Sequence, residues 1–403
     1  MLLTASPLCA QQVRVHPGIE VLRDQKFSIL QGKRVGLITN PTGVDSKVRS
    51  TIDILFEAPG VKLVALFGPE HGVRGDHVGG ASVENYTDPS TKLPVFSLYG
   101  KTRKPTPEML KGIDVLVYDI QDIGCRAYTY ISTLGSAMEA AAENTIPFVV
   151  LDRPNPLGGD RVEGNIVEPG FESFVSPYPI PYVYGLTCGE LARLLNGEGM
   201  LTGSVKCSLT VIPAKGWKRR MTFAETGLPW VLTSPHVPYE TTPAYEIATG
   251  ILGELGVISE GVGYTIPFRV LAAEYIDPSA LASTMNALKL PGILFRPIVF
   301  TPFYGIFQGK DLKGVQLHIT DEAAVNLMSV QFYFLQVLNQ LYPDKNPLTV
   351  APASRLAVLD RILGSDTVRE AFMKRMRYED IDGILKKDIK TFGQMSAKYL
   401  LYK

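Results

Sequence analysis

Short β-rich runs at residues 34–39, 61–67, 94–98, 113–119 and 147–152 mark the first half of the chain, with segments of helical spacing at 48–57 and 130–144 between them. A strand wetted on one face alternates apolar and polar residues; the runs I-D-V-L-V-Y-D and P-F-V-V-L-D barely alternate. Such runs suit strands covered on both faces, and strand–helix alternation supplies the crossovers that parallel pairing needs. The expected fold class is α/β, built on a mostly parallel sheet. Thr187, with Glu190 three residues on, has the spacing of a capping box opening a helix over 187–196.

The second half reads differently. Strands are expected at 205–213, 292–301 and 314–320, a long amphipathic helix at 325–341, and several short helices over 354–402. Segregated strands and helices indicate a smaller α+β domain. Glycine and small polar residues cluster near 197–205, so the expected organisation is an N-terminal segment at 1–16, a first domain at 17–200 and a second at 201–403.

The 403 residues carry 40 basic and 40 acidic side chains, so no positive excess points to nucleic acid. No apolar stretch approaches the ~18 residues of a membrane span. The start, M-L-L-T-A-S-P-L-C-A-Q-Q, resembles the tail of a secretory signal, without a basic n-region and with Leu8 at the minus-three position for cleavage after Ala10. A periplasmic or secreted location is the expectation. The cysteines at 9, 125, 188 and 207 form no C-x-x-C pair; a Cys188–Cys207 disulfide and buried free thiols both fit.

In an open parallel sheet, ligands bind beyond the carboxyl ends of the strands. Past the first run stand Asn40, Pro41 and Thr42; past the second, Glu70 and His71; past the fourth, Asp119, Gln121, Asp122 and Arg126; past the fifth, Asp152, Arg153 and Asn155. The densest of these ends, F-G-P-E-H-G-V-R-G-D at 67–76, adds Arg74 and three glycines that permit close approach of a ligand. Paired carboxylates suit glycoside hydrolysis, in which one protonates the leaving oxygen. Glu70, beside apolar Phe67 and Pro69, is the candidate acid, with His71 tuning it and Asp119 or Asp122 as the second group. Asp119 and Asp152 equally suit loop bracing. Arg126 and Arg153 either dock a substrate carboxylate or neutralise an aspartate. Tyr128, Tyr130, Tyr178, Tyr182 and Tyr184 are sugar platforms or packing pieces. No dinucleotide fingerprint, P-loop, H-E-x-x-H or G-x-S-x-G is present, and no cofactor or metal is expected.

The set G-L-I-T-N-P-T-G (36–43), F-G-P-E-H-G-V-R-G (67–75), D-V-L-V-Y-D-I-Q-D-I-G-C-R-A-Y-T-Y (114–130), L-D-R-P-N-P-L-G-G (151–159), V-E-G (162–164) and P-Y-V-Y-G-L-T-C-G-E-L-A (181–192) resembles the NamZ-type exo-β-N-acetylmuramidases. The resemblance implies a Rossmann-like first domain, a smaller C-terminal domain and a site between them. It also implies release of N-acetylmuramic acid from the non-reducing end of peptidoglycan fragments or muropeptides, with the catalytic glutamate falling on Glu70. Glu163, in V-E-G, and Tyr184 join the expected substrate-binding set. The lactyl carboxylate of the sugar gives the arginines a purpose. Where the family often has S-E-G-R-G-T, this chain reads S-E-G-V-G-Y-T: Glu260 is kept, to reach the cleft or to hold a loop, and Val262 replaces the arginine. A non-catalytic muropeptide sensor and a metal-dependent hydrolase using Glu70, His71, Asp76 and His77 are the alternatives.

Overall fold

The structure, a computed structural model, describes residues 14–70, 72–75 and 85–403. The signal-like residues 1–13, together with His71, Asp76 and His77, lie outside the described residues. Residues 14–16 pack against the rest of the chain. Val15 is fully buried and His16 pairs with Lys215.

Strands β1 (Arg34–Thr39), β2 (Lys62–Gly68), β3 (Tyr86–Thr87), β4 (Pro94–Ser97), β5 (Val115–Asp119), β6 (Phe148–Leu151) and β7 (Leu209–Ile212) form one sheet in the order β3-β4-β2-β1-β5-β6-β7. Every pairing is parallel except β3–β4. All five residues of β5 and all four of β6 are buried, as their unbroken apolar runs required. Helices α1 (Gly18–Asp24) and α2 (Thr51–Phe56) cover one face of the sheet, and α3 (Tyr130–Glu143) and α4 (Cys188–Gly197) the other. The capping box at Thr187 and Glu190 is formed.

Strand β7 corrects the expected boundary: residues 209–212 complete the first sheet, so the chain leaves it after Ile212 rather than near 200. Beyond it, β8 (Val270–Ala273), β9 (Ile293–Phe300) and β10 (Leu312–Ile319) make an antiparallel sheet in the order β8-β10-β9. It packs with α5 (Thr242–Gly253), α6 (Pro278–Ala287) and α7 (Leu327–Leu341) around a core that also takes in Ile123, Cys125, Tyr182 and Val183 of the first unit. Shorter helices run from Pro347 to Ser396. Cys125, Cys188 and Cys207 are buried free thiols. Among the described residues no helix is long and apolar enough to cross a membrane.

Candidate active site

Sheet order reverses between β1 and β5, which opens a crevice at their carboxyl ends. Backbones crowd there. A Cβ on Gly43 would lie 2.1 Å from Thr39 Oγ1 and 2.9 Å from the Asp119 carbonyl. Only glycine lets the β1 loop return so closely. The Asn40 carboxamide oxygen accepts from the Thr42 amide at 3.0 Å, turning that loop.

Glu70 stands two residues past the end of β2. Gly68 is in register with Ser97 of β4, and Leu98 N donates to Gly68 O at 2.8 Å. The same offset puts Tyr99 two residues past β4, where its hydroxyl is hydrogen-bonded to Glu70. Thr129, the residue before α3, places its Oγ1 3.4 Å from Glu70 Oε2. Gly72, at φ +77, turns the chain after this carboxylate. Glu70 is half-buried, within reach of both protein donors and solvent.

Tyr128 and Tyr130 meet edge to face, ring centroids 4.9 Å apart. The Tyr128 hydroxyl donates to Thr233 Oγ1 at 2.7 Å, and the Tyr130 hydroxyl donates to Thr233 O. Asn40, Glu70 and Asp122 all neighbour Tyr130, and Glu246 neighbours Tyr128. Three buried polar atoms in this neighbourhood, Asn40 Nδ2, Asp122 Oδ1 and Glu246 Oε2, have no hydrogen-bond partner among the described residues. Unpaired buried polar atoms cost free energy, so a water or a polar group that reached this tyrosine pair would find hydrogen-bonding capacity to spare.

Burial raises the Asp122 carboxyl to about 6, although Tyr184 and the Gly124 amide hydrogen-bond to it. Burial, then the Asp122 and Glu260 charges, raises Glu246 to about 8. Burial lifts Glu260 to about 7. Its carboxyl packs on Gly253, where an added Cβ would lie 2.4 Å from it. Sequence reasoning missed Glu246. The available signal was a lone carboxylate inside the apolar helical run A-Y-E-I-A.

Other expected site residues have structural occupations. Arg126 is fully buried and is corrected from substrate docking to bracing. It donates to the carbonyls of Asn165 (2.7 Å), Ile180 (2.6 Å), Ile362 (2.9 Å) and Leu363 (2.8 Å), and to Ser176 Oγ (3.2 Å). Arg153 neutralises Asp119, the second of the two roles expected for it, and so removes Asp119 as a free catalytic carboxylate. Asp152 takes the bracing role of the two expected for it: it accepts from Thr187 Oγ1, the Gly189 amide and the Tyr402 hydroxyl. Asn155 donates to Leu186 O and accepts from Leu157 N. Gln121 Nε2 donates to the carbonyls of Asp122 and Pro154. Arg74 pairs with Asp88 and Asp53. Glu163 pairs with Arg161 and accepts from Met328 N at the start of α7, in a separate groove. Among the described residues no group of His, Cys, Asp and Glu is arranged to hold a metal ion.

Comparison with known proteins gives a consistent answer. Residues 35–241 match the N-terminal model of the exo-β-N-acetylmuramidase NamZ, and residues 246–402 match its C-terminal model. The chain is 46% identical over 394 residues to the peptidoglycan β-N-acetylmuramidase NamZ of Bacillus subtilis (strain 168), covering 98% of this chain and 92% of that protein. Two crystal structures of DUF1343-family proteins from Bacteroides fragilis NCTC 9343 superpose on it. One, at 56% identity and TM-score 0.93, covers 97% of this chain and 100% of that one. The other, at 29% identity and TM-score 0.78, covers 96% and 99%.

Proposed function

Because the chain belongs to the NamZ exo-β-N-acetylmuramidase family of glycoside hydrolases, we propose that it releases N-acetylmuramic acid from the non-reducing end of peptidoglycan fragments, with Glu70 as general acid. The observation that carries the assignment is the seat of Glu70: a half-buried carboxyl on the carboxyl rim of the sheet, beside Tyr99 and Thr129 and facing the tyrosine pair. Glycosidic cleavage needs a proton for the leaving oxygen and a group that stabilises or attacks the anomeric centre. Glu70 supplies the first. Asp122, beside Tyr130, supplies the second as a stabilising carboxylate, and Glu246, beside Tyr128 and held neutral by burial, orients the acetamido group. Asn40 Nδ2 donates to the sugar. The signal-like N-terminus and a cell-wall substrate together support action in the periplasm or outside the cell.

Replacing Glu70 with Gln keeps the side-chain shape and removes the transferable proton. Turnover of an N-acetylmuramyl disaccharide should fall by at least about 10²-fold, with the thermal midpoint nearly unchanged. A Glu70→Gln enzyme that works at near wild-type rates overturns the assignment.

A further inference from the structure

The hydrolysed sugar carries a lactyl carboxylate that N-acetylglucosamine lacks, so a selective site needs a cation with its hydrogen-bond donors to spare. Arg74 is paired with Asp88 and Asp53, Arg126 with backbone carbonyls and Arg153 with Asp119. Arg103 differs. It is exposed, and it makes no ion pair among the described residues. Its guanidinium lies over the Phe174 ring, 4.2 Å from the centroid. A planar cation stacked on an aromatic face is held in orientation while its edge N–H groups stay available.

The scaffold places this residue near the site. Tyr99, four residues earlier, is hydrogen-bonded to Glu70 and senses the Arg103 charge. Ser97 Oγ pins that turn through Tyr99 O at 3.1 Å. On the other side, Phe174 O accepts from Ser132 Oγ at 2.6 Å, tying the stacking platform to the first turn of α3, directly after Thr129. Arg103 therefore stands near the proposed acid, its guanidinium held on a ring that is tied to α3 beside Thr129, a Glu70 contact.

We propose that Arg103 receives the lactyl carboxylate and so determines selectivity for N-acetylmuramyl over N-acetylglucosaminyl ends. This rests on the glycosidase reading above. A charge-assisted hydrogen bond made in both ground and transition states acts mainly on KM.

The test compares wild type, Arg103→Ala and Arg103→Lys. The readouts are steady-state kinetics on an aryl β-N-acetylmuraminide, calorimetric binding of free N-acetylmuramic acid and N-acetylglucosamine, and thermal melting as a folding control. Arg103→Ala should lower kcat/KM by roughly 10- to 100-fold, chiefly through KM. It should weaken N-acetylmuramic acid binding by a similar factor, leave N-acetylglucosamine binding unchanged and melt like wild type, with Arg103→Lys restoring part of the loss. An Arg103→Ala enzyme that cleaves normally and separates the two sugars as wild type does overturns the proposal and leaves the glycosidase reading standing. A wild type that binds N-acetylmuramic acid but cleaves nothing overturns the glycosidase reading, and the binding comparison still decides the role of Arg103.

Discussion

Arg153 grips Asp119 through two hydrogen bonds, Nε to Oδ1 at 2.5 Å and Nη2 to Oδ2 at 3.0 Å, with both side chains withdrawn from water. The pair bolts the carboxyl end of β5 to the second residue past β6, and Arg153 Nη2 reaches on to Val44 O at 2.7 Å. Replacing Arg153 with Met leaves a buried carboxylate without its counter-charge and should cost roughly 3–5 kcal/mol. The Asp119→Leu, Arg153→Met double variant should lose less than the two single losses added, by 1 kcal/mol or more, about the coupling of a direct contact. Denaturant titrations of the four proteins measure this. Strict additivity would show that the two groups do not support one another.

Arg126 serves the backbone. Its donors satisfy carbonyls from Asn165, Ile180, Ile362 and Leu363, joining segments far apart in the chain. Lysine has fewer donors and no fork, so Arg126→Lys should lose about 3 kcal/mol of stability while the folded fraction keeps its KM. An unchanged melting midpoint with a raised KM would return Arg126 to the substrate.

Glu246 makes stability depend on pH. Burial, followed by the Asp122 and Glu260 charges, raises its folded-state value from 4.5 to about 8. Between those values the unfolded chain releases a proton that the folded chain keeps. The Glu246 contribution is thus complete below about 4.5 and is lost as pH rises through about 8. Glu246→Gln should flatten this decline. Relative to wild type, the variant gains on the order of a few kcal/mol between pH 4.5 and pH 8.5. Urea titrations at the two pH values check this, and an identical pH slope in both proteins would contradict it.

Tyr402 sits between Asp152 and the backbone. Its hydroxyl donates to Asp152 Oδ2 at 2.6 Å and accepts from Ala214 N at 2.8 Å. Tyr402→Phe keeps the ring and its edge contact with Trp217, and should cost about 1–3 kcal/mol, because both partners are buried. Thermal melts decide it. A midpoint equal to wild type would mean that other groups satisfy Asp152.

Local information carried the first sheet. The unbroken apolar runs of β5 and β6 declared two covered faces, and Thr187 with Glu190 declared a helix start. The rim position of Glu70 followed from chain order and parallel pairing alone. Roles that depend on distant partners were illegible. Arg126, a plausible ligand residue by type, is consumed by carbonyls 39 to 237 residues away. Asp152 is claimed by Tyr402, 250 positions on. Glu246 became visible only when α5 laid it against Asp122 and Tyr128. Strand β7, short and half-covered, carried no mark of the sheet it would join.

The late residues of the chain are wired into its earliest layer. Besides Tyr402 on Asp152, Leu401 N donates to Glu190, Lys403 O accepts from Arg219 N, and Arg193 reaches Tyr399 O. During synthesis the large sheet can pair its strands long before these contacts exist, but α4 and the loop after β6 must wait for them. A chain cut between β7 and Tyr399 would therefore keep every strand of the large sheet and lose the groups that fasten Asp152, Glu190 and Arg193.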